Sequence, residues 1–120
     1  MKFSLVYKIF PCLVLRSVWV PCNFRGMCLG PLILIKKSAL ETDGLIEHEK
    51  THYRQMIRYF FIGYAFMYFT SWQFRLKVEL EGYKEEIKLN GITVQMAADT
   101  ICRRYGIPIG KDEVIRRLTD

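Results

Sequence analysis

The sequence predicts an α+β fold in which a small N-terminal β-sheet or hairpin packs on a mainly helical remainder. Three observations carry that expectation. The first third alternates β-branched and aromatic stretches with Pro and Gly punctuation. A run free of Gly and Pro then extends from Leu45 to Ile62, behind residues that favour helix starts. Beyond Thr93 the apolar residues recur at the helical period. A length of 120 residues fits one domain, 1–120, with strands in 1–37 and helices in 44–120.

Taken in order, Phe3–Ile9, Leu13–Val20 and Pro31–Lys36 read as strands, separated by Pro11, Pro21, Gly26 and Gly30. Leu32, Ile33, Leu34 and Ile35 are continuously apolar, which predicts a well-buried strand, with Pro31 at its start where a missing N–H costs least. Thr42, Asp43 and Gly44 offer N-cap chemistry, and Glu47 follows in the first turn of a helix over Gly44–Phe60. An aromatic stretch, helical or irregular, leads to Trp72. Phe74–Leu89 carries mixed charges at helical spacing and stops at Asn90-Gly91. Val94, Ala97, Ala98 and Ile101 hold one face of a fourth helix ending near Gly106, and Lys111–Leu118 makes a short last one.

A 51% hydrophobic, 25% charged chain with 8 Gly and 4 Pro is neither disordered nor collagen-like. The 18 basic and 12 acidic residues give a net charge of +6, and six basic residues precede the first acid, Glu41. They are spread among apolar runs with no basic stripe of interleaved aromatics, so no nucleic-acid partner is expected. Cys12, Cys22, Cys28 and Cys102 form no CxxC pair, and Lys8 and Pro11 interrupt what would be an export signal. Buried free thiols and a cytoplasmic location are the expectation, host cytoplasm if the chain is phage-encoded. The uncharged run Tyr59–Phe74 is short of the ~20 residues that span a bilayer. It reads as a buried aromatic connection, with membrane-surface docking as the less favoured alternative.

Residues 48–52 read His48-Glu49-Lys50-Thr51-His52, the HExxH pattern, inside the helix assigned on other grounds. Four residues advance a helix by about 400°, so both imidazoles share a face and can reach one ion. Glu49, about 100° round from His48, can act on a metal-bound water as a base. A zinc site needs a third ligand, and the chain holds no third histidine. Among Glu79, Glu81, Glu85 and Glu86, Glu79 is the first choice, since it shares a face with Leu76 and Tyr83. Glu81 would then face solvent.

The residues Arg25-Gly26-Met27, Gly30–Ile35, Gly44–Gln55 and Glu79–Lys84 together resemble the small gluzincin-type metallopeptidases of bacterial and tailed-phage sequences, over about residues 25–118. That family's pattern is a Gly-containing strand, HExxH closely followed by Arg-Gln, an aromatic-rich stretch and an E-x-E-A-Y segment. The wider clan takes its third ligand from E-x-x-A-D, which aligns Glu79 with the ligand and Tyr83 with the aspartate. The resemblance implies a minimal zincin-like domain in which His48, His52 and Glu79 hold one Zn2+ and Tyr83 orients a ligand, reaches the oxyanion or simply packs beside the site. Gly82 departs from the family's Ala at about 1 kcal/mol of helix propensity.

The function expected is hydrolysis of a peptide or protein substrate by a zinc-bound water that Glu49 activates. The strand bearing Leu32, Ile33, Leu34 and Ile35 would align the substrate if its edge is free. Arg54 and Gln55 would touch substrate or a carboxylate, or lie on a solvated helix face, the latter favoured. A non-catalytic zinc-binding module and a membrane-surface accessory protein are the rival readings.

Overall fold

The computed structural model describes residues 2–6, 10–20, 24–37 and 43–120 and has the α+β architecture expected. β1 (Lys2–Val6), β2 (Phe10–Ser17), β3 (Gly26–Leu29) and β4 (Leu32–Lys36) form one sheet of order β1-β2-β4-β3. β2 and β4 run parallel at its centre, and β1 and β3 are antiparallel to them on the outside. The period-2 alternation of the strands puts Cys12, Val14, Cys28, Ile33 and Ile35 on one face, where Leu45 and Tyr53 of α1 (Asp43–Arg58) cover them.

Three sequence expectations change here. Gly26–Leu29, read only as punctuation, is a strand, formed because Gly30 (φ 68°) turns the chain back onto β4 in a conformation open to glycine. β4 is paired on both sides, so Leu32, Ile33, Leu34 and Ile35 offer no edge; the outer edge of β3 does, among the described residues. The aromatic stretch is helical, α2 (Ile62–Thr70), yet only partly buried: Tyr64 packs with Phe74 and Val78, while Phe60, Ile62, Phe66 and Phe69 are exposed. Thr42, Cys22 and the end of the first expected strand, residues 7–9, lie outside the described residues. Cys12 and Cys28 are buried free thiols as expected, and Cys102 is a half-buried one.

α3 (Trp72–Lys88) starts at Ser71, whose hydroxyl accepts from the Phe74 N–H, and α4 (Val94–Arg104) starts at Thr93 in the same way. With α5 (Lys111–Thr119) these helices enclose a second core of Leu76, Tyr83, Ala97, Ala98, Ile101, Val114 and Leu118. α3 returns antiparallel along α1: Gly44 lies against Glu86 and Gly91, His48 against Gly82, His52 against Glu79, and Tyr59 against Phe74. This pair sets the register of the site.

A Cβ at Gly44 would stand 2.9 Å from both the Glu86 carbonyl oxygen and the Gly91 Cα. Gly44→Ala must therefore part α1 from α3, and a loss of about 1–3 kcal/mol is expected in urea unfolding. Gly63, in the first turn of α2, has nothing within 4 Å of such a Cβ. Gly63→Ala should be neutral or stabilising by up to about 1 kcal/mol in the same measurement.

Candidate metal centre

His48 and His52, one turn apart on the inner face of α1, point Nε2 at each other across 3.1 Å. Glu79 of α3 brings Oε1 to 3.2 Å from His52 Nε2 and 3.5 Å from His48 Nε2. All three side chains are buried, at 3%, 7% and 3% exposure. Glu79 Oε1 has no hydrogen-bond partner even so, and is the sole buried side-chain N or O so placed among the described residues. Three donor atoms spaced 3.1–3.5 Å apart match the ~3.4 Å edge of a tetrahedron with metal–ligand distances near 2.1 Å. The residues thus fit a metal ion, and the cluster could hold one.

The remaining atoms of each ligand are fixed by partners. His48 Nδ1 lies 3.0 Å from Glu86 Oε1, and Arg25 grips the same carboxylate through both guanidinium nitrogens at 2.8 and 3.2 Å. A carboxylate accepts only, so His48 carries a proton on Nδ1 and, once neutral, presents the Nε2 lone pair. Gln55 does the equivalent for His52. Its amide nitrogen donates to the Val78 carbonyl and to Glu81, which leaves Oε1, 2.9 Å away, to accept from His52 Nδ1–H. The Tyr68 hydroxyl donates to Glu79 Oε2 at 2.9 Å.

Several sequence readings are refined at this point. Glu81 does not simply face solvent; it is half-buried and holds Gln55. Gln55 is fully buried rather than on a solvated face, and Arg54 pairs with Glu47 at 2.6 Å. Tyr83 sets its ring edge-on to His48, centroids 4.3 Å apart, and its hydroxyl meets that of Tyr105 at 3.3 Å. Gly82 has a local reason: a Cβ there would come within 3.1 Å of the His48 ring, so glycine lets the imidazole lie against α3. Sequence reasoning left Glu86 without a role, though its position seven residues after Glu79 is a same-face signal. Gln55 and Arg25 carried no comparable signal, because their partners are fixed only by the α1–α3 and sheet packing.

Burial would lower the pKa of His48, but the neighbouring Glu79 and Glu86 carboxylates prevail and raise it to about 10. Burial likewise pushes the Glu79 carboxyl up, and the two histidines more than reverse this and hold it well below the carboxylate range. Burial raises Glu49, with His48 and His52 opposing. Arg25 pairs with Glu86, and a divalent ion held by two neutral imidazoles would offset the buried Glu79 charge and that of Glu49 when ionised.

A cavity of about 320 Å³ opens onto this cluster. Glu49 and the three donors line it, together with Met27 and Cys28 of β3 and Met56, Tyr64 and Tyr68. A Cβ at Gly26 would stand 3.2 Å from Glu49 Oε2, so the glycine leaves that carboxylate room.

Comparison with protein-family models, with curated proteins and with solved structures gives no match for this chain.

The raised pKa of His48 means that metal must displace a proton. The stabilisation from its protonated contacts is complete below about pH 6.5 and fades as pH rises through about 10. Zinc uptake should thus release protons at neutral pH, and affinity should rise about tenfold per pH unit between 6 and 8. Calorimetry in buffers of differing ionisation enthalpy tests this, and a flat pH profile would exclude a protonated His48. Glu86→Gln and Gln55→Leu should each weaken zinc binding by about 10–100-fold without abolishing it, measured by competition with a chromophoric chelator.

Proposed function

We propose that this protein is a zinc-dependent metallopeptidase of the gluzincin type, with His48, His52 and Glu79 as ligands and Glu49 as the catalytic base. The observation that carries the reading is the unpartnered buried oxygen of Glu79 facing two Nε2 atoms at metal-donor spacing, with a second buried carboxylate on the same cavity. The residue pattern that resembles gluzincin-type enzymes supports the same assignment. When bound, zinc supplies a Lewis acid that polarises a carbonyl and brings the pKa of water toward ~7.

The chain's own residues do the rest. Glu49 takes the proton of the attacking water, and its burial-raised pKa brings it closer to neutral, so that it can keep that proton and deliver it to the leaving amine. Glu86 and Gln55 keep both imidazoles in the tautomer that binds metal. Tyr64 and Tyr68, whose hydroxyls burial keeps protonated, offer donors at the cavity wall. The open edge of β3, Gly26–Leu29, takes over the substrate-aligning role first expected of β4, because its Met27 and Cys28 reach the cavity.

A non-catalytic zinc module would need no room beside the metal, and the cavity favours the peptidase over it. Metal analysis of untagged protein by mass spectrometry should give near-stoichiometric zinc in wild type and Glu49→Gln, and none in His48→Ala or Glu79→Ala. In a peptide-library cleavage screen, Glu49→Gln should lose at least about 100-fold in rate. Zinc with no cleavage by wild type would leave the module; no zinc after reconstitution would sink both.

A further inference from the structure

We propose that α2 docks the protein on an anionic membrane surface, with the metal-site cavity opening beside the bilayer. The first half stands without the peptidase reading; the corollary, that substrates are presented at the membrane, rests on it.

Ile62, Phe66 and Phe69 recur at i, i+4 and i+7, so they share one face of α2, and they are 84%, 68% and 80% exposed. Phe60, 84% exposed, extends the patch at the corner before the helix. Phe60 and Phe61 both hold positive φ, 59° and 55°, a conformation bulky residues rarely adopt. At about 150 Å² per large side chain the patch reaches roughly 600 Å², the top of the range of the largest apolar patch on a monomer, a size often functional.

Charge identifies the occupant. Residues 50–78 contain no acid; Lys50 and Arg54 pair with Glu47, and Arg58, Arg75 and Lys77 flank α2 in the chain. Arg58 is exposed two residues before Phe60, Arg75 donates to the Tyr68 carbonyl at 2.8 Å, and Lys77 sits 3.3 Å from the Tyr59 hydroxyl. A second copy seated on this face would oppose cation to cation, and the patch falls short of the ~800 Å² per partner of a stable interface. Anionic headgroups complement the cations while the aromatic rings enter the acyl boundary. Among the described residues no helix is long and apolar enough to cross a membrane, so α2 would lie in the interface. Tyr64, Ala65, Tyr68 and Phe69 of α2 line the cavity, which brings the opening next to the surface it docks on.

Co-sedimentation with phosphatidylcholine vesicles containing phosphatidylglycerol, against phosphatidylcholine alone, tests the proposal. Wild type should pellet with the anionic vesicles, less so as salt rises, and equally after chelator treatment. Phe66→Glu with Phe69→Glu should cut the bound fraction at least about tenfold while thermal melting stays cooperative. Wild type left in the supernatant with both vesicle types, or the double variant binding as well as wild type, would overturn it. So would light scattering that shows a dimer, dissociated by the double variant, with no vesicle binding. Vesicle binding without zinc uptake would retire only the peptidase reading, and zinc-dependent cleavage without vesicle binding only this one.

Discussion

α1 and α3 approach each other more closely than ordinary side chains permit, and the site exists because of that approach. Gly44 admits the end of α3 to the start of α1, and Gly82 admits the His48 ring to the α3 backbone. Between these points the helices are held in one register, which carries His52 onto Glu79 and His48 onto Glu86. A slip of one residue would rotate the acids by about 100° and leave the imidazoles against apolar side chains. Packing density here is a condition of the chemistry as well as of stability.

The same contact creates an electrostatic demand. Glu49, Glu79 and Glu86 are all buried, and Arg25 pairs with Glu86. An apolar replacement at such positions would commonly stabilise a fold. Their presence is a cost, met without metal by raising His48 until it holds a proton. A divalent cation would meet the demand more fully, because it would also engage the Glu79 oxygen that has no hydrogen-bond partner. Proton and metal would thus be alternative occupants of one charge deficit.

How far this was legible in the sequence depended on the range of the interaction. HExxH and the E-x-x-G-Y segment are local, and helical periodicity alone brings His48 and His52 to one face and Glu79 and Glu86 to another. Ser71 and Thr93 cap their helices, a local signal the sequence reading left unused. β3 was missed because four residues containing Gly26 carry little strand signal, and it exists through its pairing with β4. That omission made β4 look like an edge. Gln55 was misassigned because its burial comes from α3, and the exposure of Phe66 and Phe69 was hidden because an apolar helix reads alike whether a core or solvent faces it.

Several of the places where the chain departs from ordinary folding rules lie together. α4 and α5 obey them: Thr93 caps one, Asp112 and Glu113 open the other, and arginines close both. The left-handed Phe61, the α2 residues Tyr64, Tyr68 and Phe69, the orphaned Glu79 oxygen and the cramped Gly26 all line one cavity, and Gly82 abuts its His48. Each carries a cost in strain, desolvation or lost propensity that a sequence selected for stability alone would shed. Independent defects would fall anywhere on the molecule, whereas these share one void and the helix that walls it. Their convergence gives a reason to read the metal centre, the β3 edge and α2 as parts of a single working surface.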